Sequence, residues 1–114
     1  MKIGFISVSF HSNEDTLNVI KQLEKNALPL AVSSTVYVVD NSRSEELKEK
    51  LAKHPQAVYI ESPGNIGFAA GNNLGIKRAL EDGVDIIVLI NNDTLVPEDL
   101  ILKILASPIV EKTG

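Results

Sequence analysis

The sequence predicts an α/β fold, a three-layer α/β/α arrangement around a mostly parallel four-stranded sheet. Three observations carry this. Four short apolar runs alternate with four helix-forming stretches. The runs are apolar nearly throughout, as strands covered on both faces are. Each stretch between runs is long enough for a crossover helix, and right-handed crossovers make the strands parallel.

The elements follow in order. "KIGFISVSF" (2–10) reads as a buried strand. Ser12 or Asn13 then offers an N-cap for a helix to about 28, with Leu17, Ile20, Leu23 and Ala27 along one face. "TVYVVD" (35–40) is a second buried strand ending on an acid. Ser42-Arg43-Ser44-Glu45 has capping-box form and opens a short helix with Leu47 and Leu51 inward. "AVYIE" (57–61) is the third strand, and a glycine-rich loop then leads into a helix to about 82. "DIIVLI" (85–90) is the fourth strand, followed by "NNDT", and Pro97 suits the first turn of a last helix.

Composition bounds the class. The 114 residues suffice for one domain, 1–114, with one core. Hydrophobic residues at 44%, charged residues at 23% and a mean hydropathy of +0.08 describe a globular chain. The apolar runs are too short to cross a bilayer, and Met1-Lys2 leads straight into a strand, so no signal peptide is expected. The absence of cysteine excludes a disulfide scaffold and fits a cytoplasmic chain. A net charge of -4 and 4% aromatic residues argue against nucleic acid as a partner.

In open α/β sheets, ligands bind beyond the carboxyl ends of the strands. Those ends carry His11 and Ser12, Asp40 and Asn41, Pro63 to Gly67, and Asn91 to Asp93. Four polar or glycine-rich clusters are thus expected along one edge, although turns use the same residue types. Asp93, directly beyond a very apolar strand, suits Mg²⁺ or Mn²⁺ held together with substrate phosphates; the plain alternative is an Asx-turn or a cap. Asp40 can accept a hydrogen bond from a ribose hydroxyl or a base N–H, or it can support the Ser42 cap. Gly64 and Gly67 allow close backbone approach to a ligand. Gly71, Gly75 and Ala79 recur at helical spacing and predict a small-residue stripe packed on the sheet. His54 reads as a solvated surface residue.

Several signatures are missing. Gly64-Asn65-Ile66-Gly67 is not G-x-G-x-x-G and follows the third strand, and neither a G-x-x-x-x-G-K-[ST] loop nor a G-x-S-x-G elbow occurs. The first strand lacks the acidic pair of a receiver-like domain and the basic glycine loop of a nucleotidyltransferase.

"ISVSFHS", "VYVVDNSRSEE", "NIGFAAGNNLGIKRAL" and "DIIVLINNDTLVPEDL" together resemble the first half of a family 2 glycosyltransferase of the Rossmann-like GT-A fold, in its rhamnosyltransferase-like branch. The resemblance runs from 2 to about 105. It implies that Ser9, Phe10 and His11 line a nucleobase pocket and that Asp40 bonds the base, uracil or thymine. It implies further that Asn65 and Gly67 border the nucleotide, assisted by Asn72. Asn91-Asn92-Asp93 stands in the place of the family's D-x-D motif, departing from it by its leading asparagine. Asp93 would hold Mg²⁺ or Mn²⁺ on the diphosphate, with Asn91 or Asn92 toward the ribose or sugar.

The implied chemistry is inverting transfer from a UDP- or dTDP-sugar to a glycan or lipid-linked acceptor, at the cytoplasmic side and peripheral to the membrane. The catalytic base of this family comes from its second half, so no catalytic residue is expected here. On this reading the acceptor part is missing, and the chain is a donor-binding half that binds nucleotide weakly and transfers no sugar alone. A homodimer through an exposed edge beside the fourth strand is also expected. The competing reading is a non-catalytic nucleotide-sugar-binding module or regulatory subunit.

Overall fold

The computed structural model describes residues 1–107. The elements are β1 (Lys2–Ser9), α1 (Asn13–Glu24), β2 (Ser33–Asp40), α2 (Glu45–Leu51), β3 (Ala57–Glu61), α3 (Phe68–Glu81), β4 (Ile86–Leu89) and α4 (Leu100–Ala106). All pairings are parallel in the order β3-β2-β1-β4. β1 and β2 are in register from Lys2 beside Ser33 to Ser9 beside Asp40, so both strands reach the same edge.

Alternation along the strands divides the core in two. Ile3 and Phe5 of β1 join Val36 and Val38 of β2 beneath α1, α2 and α4, through Val19, Ile20, Leu23, Leu47, Leu51 and Ile101. Ile6 and Tyr37 face the other way, toward Ala79 of α3. Burying each large aliphatic side chain contributes about 1.5–3 kcal/mol, so the first cluster dominates. The expected three layers are present.

α3 lies close to β1 through its small residues. A Cβ at Gly71 would stand 3.0 Å from Val8, and one at Gly75 would overlap Ile6. Ala79 is fully buried on the same stripe. Bulk here would lift α3 from the sheet, which is why glycine is tolerated in a helix at a cost of about 1 kcal/mol.

Several element ends differ from the sequence expectation. α1 stops at Glu24 rather than near 28, because the N–H groups of Lys25 and Asn26 close tighter turns on Gln22 and Leu23, at 3.2 and 3.1 Å. Ala27 is therefore exposed, and Asn26 is buried beside that position instead. The N-cap of α2 is Ser44, not Ser42; its hydroxyl accepts from Leu47 N–H at 3.2 Å. α4 begins after Pro97, whose carbonyl accepts from Leu100 N–H at 3.2 Å in a turn that precedes the helix. His54 is not simply solvated, since its Nδ1 lies 2.8 Å from Glu24 Oε2.

Candidate functional site

The four strand ends do gather at one edge, but the sheet divides them between its two faces. Ser9 and Asp40 lie on the face covered by α1 and α2. Val8 and Asn41, one residue away in each strand, lie on the α3 face.

Asp40 is fully buried and its carboxylate is fully engaged. Oδ1 accepts from Ser42 N–H at 3.0 Å and from the Ser42 hydroxyl at 2.6 Å. Oδ2 accepts from Ser44 N–H at 2.8 Å and from the Tyr59 hydroxyl at 2.9 Å. Burial pushes the Asp40 carboxyl up, but the bonds from Ser42, Ser44 and Tyr59 outweigh it and hold the group below its ordinary value. Burial and the Asp40 bond in turn push Tyr59 well above the usual phenol range. In this geometry Asp40 does not line the cleft that Asn41 lines. It organises the turn between β2 and α2, where Arg43 adopts a positive φ of 53°.

Asn41, the next residue, is turned to the cleft side instead. It is 4% exposed, and its N–H donates to Ser9 O at 2.8 Å. Its Nδ2 donates to Gly67 O at 3.1 Å, which fixes the amide and leaves a buried Oδ1 with no partner among the described residues. Asn41 lines a cleft of about 320 Å³ with Val8, Phe10, Ser12, Asn65, Gly67, Phe68 and Asn92. Phe10 and Phe68 are 48% and 57% exposed, so two of the chain's three phenylalanines stand at the cleft, largely in solvent.

The remaining expected residues fall on different sides. Asn65 and Gly67 border the cleft, and Gly67 starts α3 with φ of 85° and open space at its α-carbon. Ser9 is fully buried, taking a 3.0 Å hydrogen bond from Thr16 and sharing one with Ser12, so it supports the loop instead of facing the cleft. Asn72 is 7% exposed within α3 and does not line the cleft. His11 has φ of 51°, and its ring packs on Phe10 at 4.3 Å between centroids. It opens onto another cavity of about 850 Å³, which shares Ser12 with the cleft and is also lined by Asn13, Glu14, Ser44, Glu46 and Lys50. That cavity suits an anion poorly, since its lysine is already paired with Glu46 at 2.7 Å.

Asn91, Asn92 and Asp93 diverge. Asn91 is exposed, and its carbonyl accepts from Thr94 N–H at 3.2 Å. Asn92 Nδ2 donates to Ser12 Oγ and, at 3.4 Å, to Thr16 Oγ1, which ties this loop to the start of α1. Asp93 is exposed beside α1, in a depression of about 350 Å³ with Asp15, Asn18, Lys21, Gln22, Lys25 and Asn92. Asn92 lines both this depression and the cleft, so the two are neighbours. Among the described residues no three histidine, cysteine or acidic side chains gather to hold a metal. A lone carboxylate is nevertheless the donor set of Mg²⁺ sites that draw their other ligands from phosphate and water.

The model of the family described as "Glycosyl transferase family 2" matches residues 8–109, spanning every strand end just described. This chain belongs to glycosyl transferase family 2. Over 80 residues it is 36% identical to the low-salt glycan biosynthesis hexosyltransferase Agl10 of Haloferax volcanii, covering 70% of this chain and 24% of that protein. Over 69 residues it is 35% identical to the dTDP-rhamnosyl transferase RfbF of Shigella flexneri, covering 60% and 23%. The chain thus spans about a quarter of the length of these family 2 relatives.

Solved structures show the same fold. TarS 1–349 of S. aureus in complex with UDP superposes with a TM-score of 0.76 at 18% identity, over 93% of this chain and 31% of that one. The mannosyltransferase PcManGT of Pyrobaculum calidifontis, in complex with GDP-Man and Mn²⁺, gives 0.72 at 19%, over 93% and 32%. The GT-A α/β architecture of family 2 is therefore that of this chain. No helix among the described residues is long and apolar enough to cross a membrane.

Proposed function

We propose that this chain supplies the donor-nucleotide half of a glycosyltransferase that draws on a UDP- or dTDP-sugar. The observation that carries the reading is the Asn41 amide on the lining of a cleft flanked by two exposed aromatic rings, its buried Oδ1 without a partner among the described residues. An orphaned acceptor of this kind costs about 1–3 kcal/mol, which an incoming N–H donor restores. Uracil and thymine carry such a donor at N3. A ring stacked on Phe10 or Phe68 would gain about 1–3 kcal/mol more. Asn65 and Gly67 then border the nucleotide.

Beyond the base, Asp93 would contribute the protein ligand to Mg²⁺ or Mn²⁺ on the diphosphate, with Asn92 between the metal and the cleft. The metal would neutralise the departing nucleoside diphosphate. The 35% identity to a dTDP-rhamnosyl transferase supports rhamnose as the sugar transferred. An acceptor hydroxyl of a glycan or lipid-linked glycan, attacking with inversion, completes the reading, carried out on the cytoplasmic side of the membrane. The general base and the acceptor pocket are assigned to none of the described residues.

Calorimetric titration of UDP, dTDP and CDP against the wild type and Asn41→Leu tests this. The two imide nucleotides should bind at least about fivefold more tightly than CDP, whose N3 is an acceptor, and Asn41→Leu should erase the difference. Equal affinity for all three would remove the reading.

A further inference from the structure

Between Asn91 and Asp99 the chain forms no helix or strand, yet this segment carries Asp93. Two amide side chains hold it, one on α1 and one just past its end. Gln22 Nε2 donates to Thr94 O at 3.2 Å while its Oε1 accepts from Val96 N–H at 2.7 Å. One helical turn later, Asn26 Nδ2 donates to Pro97 O at 2.9 Å while its Oδ1 accepts from Ile101 N–H at 2.9 Å. Gln22 thus serves one carbonyl and one N–H of the segment, as a neighbouring strand would, while Asn26 bridges the Pro97 carbonyl and the first turn of α4. Asn26 is only 6% exposed, so its amide is committed to these partners.

We propose that Gln22 is a positioning residue that aims the Asp93 carboxylate, with Asn26 anchoring the far end of the segment, a role that rests on reading Asp93 as the metal ligand. Asp93 lies between two fastened neighbours, Asn92 at the α1 N-cap and Thr94 on Gln22. The apolar contacts of Val96 and Leu100 with the core are non-directional and would tolerate a slipped loop. Paired amide hydrogen bonds are directional and set one register. Loss of the Gln22 pair should leave the fold and the cleft intact and let Asp93 wander from the diphosphate.

The test compares UDP binding in Mn²⁺ and in EDTA for the wild type and Gln22→Met, which keeps length and apolar stem but has no amide. Gln22→Met should bind UDP in EDTA within about twofold of wild type and lose at least about fivefold of the gain from Mn²⁺. An undiminished gain overturns the proposal. If Gln22→Met does not fold, Gln22→Ala, the better helix former, takes its place. If the wild type binds no UDP in either buffer, the cleft reading fails by itself. The clamp is then judged by paramagnetic broadening of the Asn92, Asp93 and Thr94 amides by Mn²⁺ alone: weaker broadening in the variant supports it, and equal broadening in both overturns it.

Discussion

Asn41 Nδ2 donates to the carbonyl of Gly67 at 3.1 Å, joining the end of β2 to the residue that starts α3. The bond fixes which end of the amide is committed and leaves Oδ1 without a partner among the described residues. Asp40, the neighbouring acid, holds the turn between β2 and α2.

That division predicts a pH signature. Asp40 is held below its ordinary value of 3.8, so its contribution to stability is complete above that value and is lost as pH falls through the lower folded value. Denaturant unfolding between pH 6 and pH 2 should show a loss of stability below pH 4 that Asp40→Asn lacks. Asp40→Ala, which strands four donors, should cost about 3 kcal/mol at neutral pH.

The α3 stripe predicts a graded response to added methyl groups. Gly75→Ala meets Ile6 and should destabilise by about 1–3 kcal/mol, read as a lower urea midpoint with unchanged slope. Gly67→Ala meets no described atom but keeps a φ of 85° with a ψ of 173°, and should cost about 1–3 kcal/mol through backbone strain alone.

β4 pairs only with β1 among the described residues, and Leu89 on it is 53% exposed. An open, apolar strand edge invites a second copy. Sedimentation at high micromolar concentration should therefore show dimers, which Leu89→Lys should dissociate; a monomeric wild type would rule this out.

Much of this was legible in the sequence because strands covered on both faces announce themselves as continuous apolar runs. β3 falls on its expected residues, and β1, β2 and β4 fall within two residues of theirs. The Gly71, Gly75 and Ala79 stripe was equally clear, since only small residues at helical spacing permit so close an approach. The division of the strand ends between the two faces of the sheet is less plain. An acid at a strand end looks functional, but the period of two along β2 puts Val39 and Asn41 on the α3 side and Asp40 on the other. Counting that alternation from Tyr37, which packs with α3, puts Asn41 on the cleft side. Gln22 and Asn26 were passed over because polar residues on an amphipathic helix read as solvent-facing, and nothing local reveals that a loop some 70 residues away supplies their partners. Asp93 was placed on the right edge, but the turn at Asn91 that swings it toward α1 depends on contacts no pattern in the sequence encodes.

The most direct test of the central claim is where a nucleotide lands. Amide and side-chain NMR shifts recorded during titration with UDP and Mg²⁺ should move most at Asn41, Gly67, Phe68 and Phe10, the lining of the smaller cleft. Shifts centred on His11, Asn13, Ser44 and Lys50 would put the ligand in the larger cavity between α1 and α2 and contradict the account.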